Sequence, residues 1–169
     1  HESVAVLDGG LQAWQAAGGA VRGGEEPGHF QTNFMLHPPL ARLVSADDVL
    51  QQLADAGQTV VDARAGARYR GETEPLDPVA GHIPGALNRP FADNIGPDGR
   101  FKDAATLRRE FDALLQGRPA DGVVHQCGSG VSAIPNLLGM EIAGLGRAAL
   151  YAGSWSDWCS NPDRPVARG

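Results

Sequence analysis

Short apolar segments alternate with amphipathic segments over most of this chain, and this alternation restricts the possible folds more than any other feature. The stretches "TVVDAR", from Thr59, and "GVVHQ", from Gly122, are typical of short buried strands. Residues 104–116 and 131–144 carry helical patterns instead. Strands that alternate with helices indicate the α/β class, with a mostly parallel sheet flanked by helices on both faces.

Residues that favour helix starts and stops mark the predicted helices. Ser45 is a predicted N-cap with Asp48 three residues later, and Gly57 is the predicted stop of this helix. Pro135 falls early enough in the helix over 131–144 to be tolerated in its first turn. The predicted helix over 104–116 places four apolar side chains on one stripe: Leu107, Phe111, Leu114 and Leu115.

Composition and charge exclude two classes of partner. Of the 169 residues, 42% are hydrophobic and 20% are charged, and no apolar run approaches the ~20 residues that a membrane span needs. The formal net charge of −6 leaves no basic face to neutralise phosphates, so nucleic acid is not an expected partner. The sequence therefore predicts a globular protein of about one domain that binds neither a membrane nor nucleic acid.

The two cysteines carry information about the cellular compartment. Cys127 and Cys159 lie 32 positions apart, without the paired spacing of a zinc site. Their number is also too small for the disulfide framework of a secreted scaffold. The cysteines therefore predict a reducing, cytoplasmic location and no metal site.

An internal repeat divides the chain into segments. The stretch "VAVLDGGLQAW", from Val4, aligns with "AALYAGSWSDW", from Ala148, at an offset of 144 residues. Each copy is typical of a short strand, a glycine turn and the start of a helix. We therefore predict that residues 1–17 end an earlier copy, that residues 18–39 form a Gly- and Pro-rich inter-domain linker, and that residues 40–169 form the main domain.

The stretch "HQCGSGVSA", from His125, places one cysteine before a run of glycines and small hydroxyl residues. It lies where a predicted parallel strand passes into a helix, at the carboxyl edge of the sheet, where open α/β folds bind ligands. Small residues let several backbone N–H groups converge on one point, and the positive end of the helix favours a thiolate. The pattern predicts an anion cradle around a nucleophilic Cys127 rather than a buried structural cysteine.

Three chemistries use a loop of this kind. Gly128, Gly130 and Ala133 match the G-x-G-x-x-A of dinucleotide-binding loops. Those loops also need an acidic residue at the end of the next strand, which ends here in Tyr151 and Ala152. Cysteine phosphatases need an arginine six residues after the cysteine, where this chain has Ala133. The third chemistry is sulfur transfer, in which a ring of N–H donors stabilises a persulfide anion without a charged side chain.

Three motifs resemble the rhodanese superfamily, and within it the mercaptopyruvate sulfurtransferases. "CGSGVSA", from Cys127, is similar to the active-site loop of these enzymes. "VVDARAGARYRGETEP" followed by "GHIPGALNRPF" resembles their first signature region, and "YAGSWSDW" resembles their C-terminal signature. Such enzymes usually have two rhodanese domains, of which the second carries the cysteine. The resemblance therefore implies that residues 40–169 are the catalytic domain and that an N-terminal rhodanese domain precedes them.

The resemblance also implies roles for individual residues. Cys127 matches the nucleophile that forms the persulfide, and Arg68 matches the arginine that binds the anionic end of the donor. Arg70 is a second candidate for donor binding. The cradle would consist of Gly128, Ser129, Gly130, Val131 and Ser132. Five residues of the signature regions are interpreted as structural: the ion pair of Asp62 and Arg64, the turn residue His82, and the core residues Trp155 and Trp158.

Two positions bear on the identity of the donor. Mercaptopyruvate enzymes often carry a second arginine shortly before the "GHIPG" stretch, where this chain reads "PLDPVA", with Asp77 and no arginine. Members that prefer thiosulfate usually have cationic residues directly after the cysteine, whereas Gly128 and Ser129 are neutral. The loop therefore favours mercaptopyruvate.

The predicted function is transfer of a sulfane sulfur from 3-mercaptopyruvate or thiosulfate to cyanide or a thiol. The transfer proceeds by double displacement through a persulfide, and no metal or organic cofactor is expected. The expected partners are a small anionic donor, a thiophilic acceptor and the N-terminal rhodanese domain. The alternative is a non-catalytic binding, regulatory or persulfide-relay module of the same fold, against which Cys127 and the intact glycine loop argue.

Overall fold

The predicted strands form one parallel sheet in the computed structural model, which describes residues 4–25, 28, 33, 35 and 37–169. The strands are β1 (Leu43–Val44), β2 (Thr59–Asp62), β3 (Leu87–Asn88), β4 (Val123–Gln126) and β5 (Ala149–Tyr151). Their spatial order is β1-β5-β4-β2-β3, and every neighbouring pair is parallel. The predicted α/β class and parallel sheet are confirmed.

Helices connect the strands. Their bounds are α1 (Gly10–Ala16), α2 (Ala46–Gln51), α3 (Gly66–Tyr69), α4 (Ala104–Leu115), α5 (Ile134–Ile142) and α6 (Ser154–Ser160). Within the described residues, no helix combines the length and the apolar character that crossing a membrane would require.

Residues on alternating sides of β2 place the helices on both faces of the sheet. Val60 belongs to the core cluster of α2 and α6, whereas its neighbour Val61 belongs to the cluster of α4 and α5. Strand side chains point alternately to opposite faces, so each strand contributes to both layers of the core. Trp155 and Trp158 lie fully buried in the first cluster, which confirms their predicted place in the core.

The start of α2 agrees with the prediction from the sequence, but its end does not. The Ser45 hydroxyl accepts a hydrogen bond from the Asp48 N–H at 3.2 Å, as the predicted capping box requires. The helix ends at Gln51, so the predicted stop at Gly57 is wrong. The side-chain amide of Gln58 donates a hydrogen bond to the Val49 carbonyl at 3.0 Å. This contact replaces the backbone hydrogen bond that another helical turn would have made.

One further helix bound differs from the prediction. α5 begins at Ile134 rather than at residue 131, because the N–H of Ile134 bonds to the carbonyl of Val131 in a tight turn. Cys159 lies within the last turn of α6.

The segment predicted to end an earlier copy has the same local structure as its counterpart. Helices α1 and α6 begin and end at the same offset of 144 residues, and their first residues, Gly10 and Ser154, have φ of 58° and 55°. Residues 1–3 lie outside the described residues, as do residues 26, 27, 29–32, 34 and 36 of the predicted linker. The proposed domain boundaries stay predictions.

Candidate active site

The ends of β2 and β4 define the edge of the sheet where the predicted cysteine lies. Asp62 pairs with Gln126 in register, and the N–H of Ala63 donates to the Gln126 carbonyl at 2.8 Å. Cys127 directly follows the last residue of β4, so the thiol lies immediately after this pairing. Cys127 then packs against Ala63 and Ala133, and only 1% of its surface is exposed.

A cavity of about 290 Å³ opens above Cys127. It brings together five of the predicted site residues: Cys127, Arg68, Gly128, Ser129 and Ser132. The other two lie outside its lining. Gly130 has a φ of 82° and packs against the backbone of Ala152, and the side chain of Val131 is 72% exposed. Arg70 also lies outside the lining, and its guanidinium pairs with Glu72 at the surface.

The cysteine loop, residues 127–132, turns the N–H groups of Gly128 and Ser129 away from α6. The carbonyls of Cys127 and Gly128 accept hydrogen bonds from the N–H groups of Trp155 and Ser156, at 3.0 and 2.9 Å. In a trans peptide the C=O and the N–H point in opposite directions, so the N–H groups of Gly128 and Ser129 face away from that helix. Within the described residues, no acceptor pairs with an N–H group of residues 128–132. The N–H groups of Gly128 and Ser129, two residues that line the cavity, are therefore available to an anion, and the full predicted cradle stays a prediction.

Ser154 holds the start of this loop, and the sequence analysis gave it no role. Its buried hydroxyl accepts from the Cys127 N–H at 3.1 Å and donates to the Tyr151 carbonyl at 2.9 Å. The Cys127 N–H is thus paired and does not belong to the cradle. With a φ of 55°, Ser154 occupies a conformation that costs a side-chain-bearing residue about 1 kcal/mol. In the sequence, the sign of this role is the serine of "GSW", which stands where the first copy of the repeat has Gly10.

Two substitutions at Ser154 separate the hydroxyl from the backbone conformation. We expect Ser154→Ala to lower the free energy of unfolding by about 2 kcal/mol, because the Cys127 N–H loses its acceptor and the unfavourable φ remains. Ser154→Gly loses the same acceptor but relieves the φ, so it should be about 1 kcal/mol more stable than the alanine variant. Urea unfolding measures both values. An alanine variant more stable than the glycine variant would contradict this assignment.

Arg64 is a structural residue whose three guanidinium nitrogens each contact a carboxylate. Its Nη2 lies 2.6 Å from Asp62 Oδ2 and donates to the Gly81 carbonyl, while its Nη1 lies 3.2 Å from Glu74 Oε2. The guanidinium also lies over the ring of Trp155, 4.6 Å from its centroid. The predicted ion pair of Asp62 and Arg64 is confirmed, and among the described residues only one N–H of Nη1 has no acceptor.

Arg68 differs from Arg64 because one of its nitrogens is free to bind a ligand. Its Nε and Nη2 donate to Glu74 at 3.2 and 2.5 Å, and Nη2 also lies 3.3 Å from Asp77. No described residue accepts from Nη1, which lies 3.5 Å from the point where a Cβ on Gly128 would stand. One face of the Arg68 guanidinium therefore points along the cavity beside the cysteine loop.

Glu74 anchors both arginines and was not predicted as a site residue. Burial opposes its ionisation, but hydrogen bonds from Arg68 and from the N–H groups of Leu76 and Asp77 outweigh burial and lower the pKa of the carboxyl. The carboxylate therefore stays charged. Its side chain is only 3% exposed and is absent from the cavity lining.

Two histidines near these motifs take no part in the cavity. Burial, with a smaller contribution from Arg89, lowers the pKa of His125 to about 3, and its Nε2 lies 3.0 Å from the Met140 sulfur in the core. His82 stacks on the ring of Tyr69, with the centroids 3.9 Å apart, and its Nδ1 lies 2.7 Å from the carbonyl of the same residue. The predicted structural role of His82 is confirmed.

Known proteins resemble this chain in sequence. Residues 45–161 match the model of the rhodanese-like domain. A probable 3-mercaptopyruvate sulfurtransferase of Pseudomonas aeruginosa is 50% identical over 172 residues, which cover 100% of this chain and 59% of that protein. A putative thiosulfate sulfurtransferase of Mycobacterium tuberculosis is 41% identical over 99% of this chain and 58% of its own length. The chain thus spans less than two thirds of the length of these relatives.

A solved structure resembles the fold. An anaerobic ergothioneine biosynthesis enzyme from Chlorobium limicola, in complex with trimethyl histidine, matches 96% of this chain and 41% of its own chain with a TM-score of 0.84. At 22% identity this likeness supports the fold alone. The domain model covers more than half of the residues and agrees with the parallel sheet and the cysteine loop. The chain belongs to the rhodanese family.

Proposed function

We propose that this chain transfers a sulfane sulfur from 3-mercaptopyruvate or thiosulfate to cyanide or a thiol through a persulfide on Cys127. The observation that carries the proposal is the position of the thiol. It lies at the cavity, beside backbone N–H groups without a protein acceptor and beside the free face of Arg68. This arrangement suits attack on an anionic sulfur compound and stabilises the persulfide anion that results. The names of the relatives support the same activity.

The reaction would consist of two displacements. The Cys127 thiolate attacks the sulfur of 3-mercaptopyruvate, and the S–C bond breaks. Its electron pair moves to the carbon, which takes up a proton to give pyruvate. With thiosulfate, the S–S bond breaks and sulfite leaves with the electron pair. The acceptor then attacks the outer sulfur of the persulfide, and the electron pair of that bond returns to the Cys127 sulfur as a thiolate.

The intact mass of the reduced protein tests the proposal. Incubation with a competent donor should add about 32 Da, one sulfur atom, and cyanide should remove it, because the persulfide is a covalent intermediate. Peptide mapping should place the addition on Cys127. No mass gain with either donor would contradict the proposal and favour a non-catalytic module of the same fold.

Arg68→Ala should weaken donor binding without changing the second displacement. The Nη1 face of Arg68 lies beside Gly128 of the loop and has no acceptor among the described residues, so we expect the donor KM to rise by about tenfold. The rate at which cyanide removes sulfur from a preformed persulfide should change by less than about twofold, because the donor has already left. Steady-state and single-turnover kinetics measure the two effects. Arg70→Ala, outside the cavity, is the matched control, and an unchanged KM in Arg68→Ala would remove Arg68 from the site.

We also infer that residues 1–17 end a preceding rhodanese-like domain and that residues 18–39 link it to the catalytic domain. The shared helix bounds of α1 and α6 and the greater length of the relatives support this organisation. Five large apolar side chains in the described part of this segment are exposed: Val4, Val6, Leu7, Leu11 and Trp14. Supplying an intact first domain should slow hydrogen exchange in this segment, and unchanged exchange would contradict the inference.

A reducing, cytoplasmic location stays a prediction, supported by two cysteines that are both free thiols.

A further inference from the structure

Asp77 lines the cysteine cavity and pairs with the arginine that is proposed to bind the donor. Its Oδ2 lies 3.3 Å from Nη2 of Arg68, and this is the one side-chain partner of the Asp77 carboxylate among the described residues. The same Nη2 makes a shorter contact of 2.5 Å with Glu74. Asp77 is therefore the second and more distant acceptor on Arg68, and it is the one that faces the cavity.

The two carboxylates differ in what they hold. Glu74 binds both Arg64 and Arg68 and also accepts from two backbone N–H groups, so its removal would disturb the whole loop. Asp77 binds Arg68 alone. Its effect on the site is therefore mainly the negative charge that it places in the cavity.

The charged side chains at and behind the cavity carry a small excess of negative charge. Two guanidinium groups and three carboxylates form one connected network, with a formal net charge of −1: Arg64, Arg68, Asp62, Glu74 and Asp77. A donor that binds Arg68 comes close to the Asp77 carboxylate. Coulomb repulsion is proportional to the charge of the donor, so thiosulfate, with two negative charges, is penalised about twice as much as the single carboxylate of 3-mercaptopyruvate.

We propose that Asp77 determines donor specificity by disfavouring dianionic sulfur donors relative to a monoanionic keto acid. The proposal deepens the sulfur-transfer function given above and rests on it. Its physical content is that one carboxylate shares Arg68 with the donor and repels a second negative charge. Neutralising Asp77 should therefore raise kcat/KM for thiosulfate more than kcat/KM for 3-mercaptopyruvate.

A first experiment measures the electrostatic effect of Asp77 at Cys127 without any sulfur transfer. The thiolate displaces iodide from iodoacetate, an anion, and from iodoacetamide, a neutral reagent of similar size. In Asp77→Asn, the ratio of the two alkylation rates, iodoacetate over iodoacetamide, should rise by about fivefold. Peptide mass spectrometry separates Cys127 from Cys159. Burial first, and the charge of Asp77 second, raise the pKa of Cys159, so that thiol should react more slowly.

The matched control is Glu72→Gln. It removes the same unit of charge from the same loop, but Glu72 is 55% exposed and pairs with Arg70 at the surface. Its alkylation ratio should stay within about twofold of the wild-type ratio, because solvent screens an exposed charge. Asp77→Ser is a second neutral variant for use if the asparagine variant does not fold.

A second experiment measures kcat/KM for both donors in the same variants. The ratio of thiosulfate to 3-mercaptopyruvate should rise by about tenfold in Asp77→Asn and stay nearly constant in Glu72→Gln. An unchanged donor ratio, or an unchanged alkylation ratio, would overturn the proposal. If neither donor sulfurates the wild-type protein while the alkylation ratio still rises, the sulfur-transfer function fails and the effect of Asp77 on anions stands.

Discussion

Cys127→Ser should lower sulfur transfer by at least about a thousandfold, because a serine hydroxyl is a far weaker nucleophile than a thiolate and cannot form a persulfide. The fold should survive. The side chain is 1% exposed, it packs against small apolar neighbours, and serine is nearly isosteric with cysteine, so we expect a loss of about 1 kcal/mol in unfolding free energy. Intact mass after donor treatment and urea unfolding measure the two quantities.

Cys159→Ser is the control for this substitution. Cys159 lies in α6, its sulfur is 3.8 Å from the carbonyl of Ser156, and the cavity lining does not include it. Transfer by this variant should remain within about twofold of the wild-type rate. Retained turnover in Cys127→Ser, or its loss in Cys159→Ser alone, would show that the wrong thiol has been assigned.

Gly130→Ala should disrupt the site although Gly130 does not touch the cavity. A Cβ at this position would collide with the Ala152 carbonyl oxygen, and the φ of 82° is unfavourable for alanine. Together the two effects should lower the free energy of unfolding by about 3 kcal/mol. The collision also pushes the cysteine loop away from the residues that hold it, so transfer should fall by at least about tenfold. Urea unfolding and single-turnover sulfuration test both expectations.

Gly85→Ala separates the backbone conformation from the collision. Gly85 has a similar φ of 77°, but a Cβ there would meet no atom within 4 Å. The free energy of unfolding of this variant should fall by only about 1 kcal/mol, and the variant should transfer sulfur at the wild-type rate. Equal losses of stability in the two variants would mean that the approach of Gly130 to Ala152 has no energetic consequence.

The arrangement of strands and helices could be predicted because it depends on which faces are buried, and periodicity reports that directly. Val60 and Val61 show the relation, since they are neighbours in sequence and belong to opposite layers of the core. The end of α2 could not be predicted in the same way. It depends on the Gln58 side chain reaching back to the Val49 carbonyl, which is a tertiary contact.

Part of the candidate site could also be predicted from the sequence. The cysteine loop follows a predicted strand, so it was expected at the carboxyl edge of the sheet, whereas Arg68 was assigned from the resemblance to the rhodanese superfamily. Both residues line the same cavity because the strands that precede them, β4 and β2, are neighbours. The pairing of Asp77 with Arg68 depends on the path of an irregular loop, for which periodicity carries no information. The role of Ser154 depends on a positive φ, which sequence patterns assign to glycine.

The contacts that hold the cysteine loop come from later in the chain, and this affects the order in which the site forms during protein synthesis. Ser154, Trp155 and Ser156 bind the backbone of Cys127 and Gly128, and the last of them follows the cysteine by 29 residues. A ribosome must therefore release the first turn of α6 before the loop can close. Until then, the emerging chain carries a thiol on a glycine-rich segment without its anchors, and the nucleophile is enclosed only after the start of α6 has emerged.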